Sequence, residues 1–202
     1  MRGWPKSLFA ATIILLGAAT LHAGDGKSEK PKGKSEVKMQ IGSAAFQNGD
    51  SIPVKYTCDG HDVSPPLIFA GVSGSAKSLA LICDDPDAPA GTWVHWVLYD
   101  IPPYARGLSE KIMEAVNPVV KVEGRVLTLS QGRNDFGKYG YGGPCPPKGK
   151  PHRYFFKLYA LDIELKIDKE TVVKGVTKEV LLERMKGHIV AEASLMGKYQ
   201  RK

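Results

Sequence analysis

The chain has 202 residues, 43% of them hydrophobic and 8% aromatic. That suffices for one globular domain with a real core plus extensions. Of the formal charge of +7, two come from Arg2 and Lys6 and two more from five lysines set against three acids in residues 24–38, leaving +3 for residues 39–202. So mild an excess, with no basic stripe interleaved with aromatics, argues against a nucleic-acid partner.

Met1–Ala23 has the layout of a secretory signal peptide. Arg2 and Lys6 form a basic start, Leu8–Ala19 is an apolar stretch, and Ala23 closes a plausible cleavage site. The apolar stretch is short for a membrane span, which needs about 20 residues, although an uncleaved anchor is the alternative because Leu21 is unusual at that cleavage position. No Cys follows it directly, which argues against lipoprotein anchoring. Residues 24–38, "GDGKSEKPKGKSEVK", hold a single sizeable apolar side chain, Val37. They cannot bury enough surface to offset chain entropy and are expected to form a disordered tether. Its lysines offer contact with an anionic membrane surface, though a solvated tether is the plainer reading. The expected location is therefore the periplasm or outside the cell, with a folded domain from residue 39 to 202.

Within that domain, short strand-like segments alternate with turns. Residues 51–57, "SIPVKYT", alternate weakly. Residues 78–83, "SLALIC", are continuously apolar, as in a strand covered on both faces. Residues 93–101, "WVHWVLYDI", are aromatic and β-branched and stop at Pro102-Pro103; "RVLTLSQ" (125–131) alternates; "HRYFFKLYALDI" (152–163) reads as a long strand. Two helices are expected late in the chain, "DKETVVKG" ending at Gly175 and "TKEVLLERMKG" with Thr177 as N-cap and Gly187 as its stop. The tail "HIVAEASLMGKYQR" reads as a strand with a loose end. Many short strands and few helices predict a mainly β fold, an antiparallel β-sandwich carrying peripheral helices.

Strand parity then selects residues. Side chains two apart share a face, so Trp93, His95, Val97 and Tyr99 are expected on one face and His152, Tyr154, Phe156 and Leu158 on another. Each histidine follows a Pro-rich loop and opens an apolar face, a position suited to a pocket mouth. Three stretches supply the candidate pocket: Asp84–Pro89 ("DDPDAP"), Trp93 with His95, and Gly142–Pro147 ("GGPCPP") followed by His152-Arg153-Tyr154. Proline stiffens a loop. Glycine lets backbone N–H groups approach an anion. Imidazoles can donate to phosphate and gain charge near neutral pH. Each feature has a plainer reading as well: a structural histidine, Asx turns at Asp85 and Asp87, tryptophans in the core, a rigid Gly/Pro connector. No H-x-H or H-E-x-x-H spacing points to a metal, and no G-x-S-x-G elbow points to a nucleophile.

Three cysteines follow the export signal. Cys83 lies in an apolar run and reads as a buried small hydrophobe. Cys58 ("YTCDG") and Cys145 ("GGPCPP") lie in turns and are the candidate disulfide pair.

The segments "DDPDAP", "GTWVHWVLYDIP", "GPCPPKGKPHRYFFKLYALD" and "YTCDGHDVSPPL" resemble the phosphatidylethanolamine-binding protein (PEBP) family, most nearly its bacterial Raf-kinase-inhibitor-like branch, from about Met39 to the C-terminus. The resemblance implies a Greek-key sandwich of two antiparallel sheets. It also implies a small anion pocket that accepts phosphate, acetate or a phosphoethanolamine head group, with no cofactor. By motif position Asp85, Trp93, His95, His152 and Tyr154 would bind the ligand, Pro146 would belong to the rim, and Asp87 and Arg153 would be structural. Val94 stands where eukaryotic members carry a second histidine, and the tail ends soon after Tyr199, where those members continue into a gating helix. The leading expectation is an exported, non-enzymatic binding protein for phosphate-bearing ligands such as phospholipid head groups. The alternatives are an inhibitor or interaction protein acting on a protease or other envelope protein, and a phosphoester hydrolase using His95.

Overall fold

The computed structural model describes residues 38–202; the expected signal peptide and nearly all of the tether lie outside them. The longest strands pair first. β3 (Ser78–Asp85) lies antiparallel to β4 (Trp93–Ile101) on one side and to β9 (His152–Leu161) on the other. β10 (Ile189–Tyr199) extends the sheet beyond β9, and the short β8 (Ser130–Gln131) closes it beyond β4. Every residue of β3 is buried, as a continuous apolar run in a central strand requires. A second sheet is formed by β1 (Gln40–Gly42), β2 (Leu67–Ala70) and β5 (Gly107–Leu108). A separate hairpin joins β6 (Val119–Val122) to β7 (Arg125–Thr128). Glu123 and Gly124 both have positive φ, the geometry of the two-residue turn that matches the twist of a hairpin.

The main core fills the space between the two larger sheets. Ile41, Leu67, Phe69 and Leu108 meet Leu81, Trp96, Leu98, Phe156 and Leu158 there. A second cluster covers the opposite face of the five-stranded sheet, where Ala80, Ile82, Val97 and Tyr99 pack on Leu181 and Met185. Those two side chains belong to α2 (Lys178–Met185), which Thr177 caps through its hydroxyl. The preceding α1 (Lys169–Lys174) is capped by Asp168. The architecture is thus an antiparallel β-sandwich with peripheral helices, and the tail is a strand as far as Tyr199.

Two expectations fail. Residues 51–57 do not form a strand; a single 3-10 turn, Val54–Tyr56, follows an isolated bridge at Ser51. Pro53 leads into that turn with φ of −58°, which is where proline's ring holds it, and weak alternation had no partner strand to exploit. The expected shared face of Trp93, His95, Val97 and Tyr99 is also wrong. Asp85 pairs with Trp93 and Asp84 with Val94, but Cys83 pairs with Trp96, so His95 is the extra residue of a β-bulge. Beyond the bulge, Val97 and Tyr99 point to the helix side, while Trp96 and Leu98 point into the sandwich. In β9 the parity holds: Tyr154, Phe156, Leu158 and Ala160 all face the sandwich core.

Candidate functional site

At one end of the sandwich, the start of β9, the end of β3 and the bulged start of β4 come together. His152 Nδ1 lies 2.8 Å from Asp85 Oδ2. The other oxygen of Asp85 accepts the backbone N–H of Asp87 at 2.8 Å, an Asx turn that stiffens the "DPDAP" loop. Next along β9, the Tyr154 side chain is fully buried, and its ring meets that of His95 edge-on at 5.1 Å between centroids. Asp85 is close enough for its charge, after burial, to help push the Tyr154 phenol well above its ordinary pKa. Weak hydrogen bonding toward that carboxylate acts in the same direction, yet the hydroxyl makes no well-formed hydrogen bond among the described residues.

His95 is buried, and its Nδ1 lies 2.6 Å from the Gly142 carbonyl oxygen. A carbonyl only accepts, so Nδ1 carries the proton. Burial, the larger influence, lowers the pKa of His95 below its ordinary value; the Gly142 hydrogen bond and the charges of Asp85, Asp135 and Asp62 act against it. Asp135 accepts the Val94 backbone N–H at 2.7 Å.

The Gly142 carbonyl is itself held from behind. The next N–H, of Gly143, donates to Asp62 Oδ1 at 2.6 Å. Tyr141 donates to the Tyr56 carbonyl at 2.9 Å, and Cys58 N–H to the Pro144 carbonyl at 3.2 Å. A disulfide joins Cys58 to Cys145. The "YTCDGHD" segment therefore latches the Gly/Pro loop at several points. Gly143 admits no larger residue: a Cβ there would sit 2.5 Å from Asp62 Oδ1 and 2.6 Å from the Tyr56 carbonyl. Pro146 is buried in this loop beside Cys145.

Outside the pocket, Asp87 takes a bidentate pair from Arg153, Nε at 2.8 Å and a terminal nitrogen at 2.7 Å, and also accepts the Arg153 backbone N–H. The guanidinium holds Asp87 down to about 2. Asp84, adjacent to the pocket acid but pointing to the other face, is completely buried between Lys157 and Lys178 at 2.8 and 2.6 Å. Cys83 is buried, and burial pushes its thiol well up.

The structure thus brings Asp85, Trp93, His95, His152 and Tyr154 to one end of the sandwich, and the loop bearing Pro146 to the His95 side. Two further residues belong to the site. Phe136 lays its ring against both Trp93 and His95, at 5.5 and 5.3 Å between centroids, and over Gly142, so it covers the His95 ring. Asp62 fixes the peptide that orients His95. A sequence signal for Phe136 existed in "NDFG", an aromatic in a turn just before the Gly/Pro loop; Asp62 had only its place in the "CDGHD" segment. A cavity of about 350 Å³ lies on the Asp62 side of the loop, walled by the disulfide, Phe136 and Tyr141. No group of His, Cys, Asp or Glu suited to holding a metal occurs among the described residues.

A family model described as phosphatidylethanolamine-binding protein matches residues 42–200. The chain belongs to the phosphatidylethanolamine-binding protein family. Among similar PEBP relatives is a UPF0098 protein of Methanothermobacter thermautotrophicus, 51% identical over 164 residues, which cover 81% of this chain and 99% of the relative. The crystal structure of a PEBP homologue from Chlamydia trachomatis is 43% identical with a TM-score of 0.69, covering 82% of this chain and 99% of that one. E. coli YbcL, described as a new member of the mammalian PEBP family, shares 31% identity, the same TM-score and the same coverage of both chains.

Proposed function

We propose that this PEBP-family chain is an exported, non-enzymatic binding protein whose pocket takes a small phosphate-bearing ligand such as a phospholipid head group. The observation that carries this reading is the Tyr154 hydroxyl, buried beside His95 and Asp85 with no well-formed hydrogen bond among the described residues. A buried O–H left unpaired costs about 1–3 kcal/mol, a cost that makes sense where a ligand oxygen completes the bond. The nearby groups suit such an oxygen. Two imidazoles, His95 and His152, lie beside it, and Asp85 orients the second. The disulfide supports passage through an oxidising compartment. Calorimetric titration with inorganic phosphate tests the proposal: the wild type binds, and the His95→Ala, His152→Ala and Tyr154→Phe variants bind more weakly. No measurable phosphate binding by the folded wild type overturns it.

A further inference from the structure

The hydrogen-bond directions in the pocket fix more than the presence of an anion. His95 spends its Nδ1 proton on the Gly142 carbonyl, which Asp62 holds through Gly143. His152 presents Nδ1 to Asp85, which as a carboxylate accepts. In its neutral form each ring would therefore carry its proton on Nδ1 and leave Nε2 as an acceptor. Neither Nε2 has a hydrogen-bond partner among the described residues. With His95 neutral and Tyr154 as an O–H donor, the site sets one acceptor lone pair beside one donor. A fully ionised phosphate brings acceptors only and meets that lone pair.

We infer that the pocket selects phosphomonoesters carrying a P–OH, in which the ligand hydroxyl donates to Nε2 of His95 and a P–O⁻ accepts from Tyr154, over phosphodiesters such as an intact phospholipid. This rests on the anion-binding reading above and narrows its ligand class. A monoester has a second pKa near 6 and so brings a transferable proton close to neutral pH. A diester has none, and it must wait for His95 to charge. That charging is opposed by burial and helped by Asp85, Asp135 and Asp62; His152 and Tyr154 are the other titratable groups facing the ring. The preference is therefore pH-dependent: it is wide while His95 is neutral and closes as the ring protonates.

The test compares phosphoethanolamine with glycerophosphoethanolamine, a monoester and a diester bearing the same amine, by calorimetry at pH 7.5 and 5.0. Phosphatidylethanolamine vesicles provide the lipid arm in a sedimentation assay. The expected result is a monoester preference of about tenfold or more at pH 7.5, shrinking at pH 5.0, with weak vesicle binding at pH 7.5. Side-chain ¹⁵N spectra of the free protein should show His95 protonated at Nδ1. Asp62→Gly, which suits the positive φ of 52° at that position, should mix the tautomers and reduce the preference, whereas Asp62→Asn should keep both. Equal affinity for the two esters at both pH values, or a His95 protonated at Nε2 in the wild type, overturns the inference while leaving anion binding intact. Binding of neither ester, nor of inorganic phosphate, removes the anion-binding reading itself.

Discussion

Replacing Tyr154 by Phe separates a ligand-directed hydroxyl from a structural one. The ring fills its place in the core at 0% exposure and meets His95 edge-on, and Phe preserves both. Only the oxygen is lost, and in the free protein that oxygen makes no well-formed hydrogen bond among the described residues. Removing an unpaired buried polar atom relieves a desolvation cost of about 1–3 kcal/mol. The ligand-free variant is therefore expected to be more stable by about 1 kcal/mol, a rise in Tm of about 2–4 °C for a domain of this size. With phosphate present the sign reverses. A hydrogen bond to a charged oxygen is worth about 1.5–3 kcal/mol, so affinity should fall about 10- to 100-fold. Differential scanning calorimetry with and without phosphate, paired with isothermal titration, reads both effects. A variant that melts several degrees lower without ligand, while binding phosphate as tightly as the wild type, refutes the reasoning, because the hydroxyl then has a structural partner.

Three further outcomes follow from the same geometry. Sulfate, which does not titrate in this range, should bind more tightly at pH 5.5 than at pH 8, by up to about tenfold per pH unit above the His95 transition; tighter binding at pH 8 contradicts a proton-linked imidazole, and His95→Ala should flatten the profile. Replacing Cys58 and Cys145 by Ala frees a loop of 87 residues' separation and should lower stability by roughly 4–5 kcal/mol on the chain-entropy account, measured by urea unfolding; a loss below 1 kcal/mol shows that the hydrogen bonds at Tyr56, Cys58 and Asp62 latch the loop without it. Asp87, held down to about 2 by Arg153, contributes stability that is complete above the unfolded carboxyl value near 4 and is lost as pH falls toward 2. The gap between wild type and Asp87→Asn should thus be constant above about pH 5 and vanish near pH 2, and it should be small because the pair is open to solvent; a gap that grows on acidification contradicts the assignment.

Regular elements were legible in the sequence because local chemistry decides them. The apolar run at 78–83 lies in β3, the alternation from His152 holds along β9, and Thr177 caps α2. The family motifs placed the pocket side chains in two distant stretches. Partners lying far apart in the chain were harder to see. Phe136 covers His95 only because β4 and the loop before Gly142 meet in space, and Asp62 reaches Gly143 across 81 positions. Neither contact leaves a periodicity. At residues 51–57 a weak alternation was taken for a strand, where Pro53 and the neighbouring loop contacts determine a turn.

The failed parity in β4 explains how the site can exist at all. Counted back from Trp96 and Leu98, which face the sandwich core, strict alternation would put Val94 on the core face and turn His95 and Trp93 toward α2. That side holds the largely apolar cluster of Ile82, Val97, Tyr99, Leu181 and Met185, and its buried acid, Asp84, is already paired with two lysines. The extra residue at position 95 reverses the alternation for just the first residues of the strand. It sends Val94 to the apolar helix side and delivers His95 to Tyr154 and to the Gly142 carbonyl. The bulge therefore reconciles a largely buried central strand pair with a cluster of polar side chains at its end, in keeping with the tendency of bulges to re-aim side chains next to functional sites. A sequence read with period two registers His95 as one more member of an apolar face, and the irregularity that contradicts the period is the feature that builds the pocket.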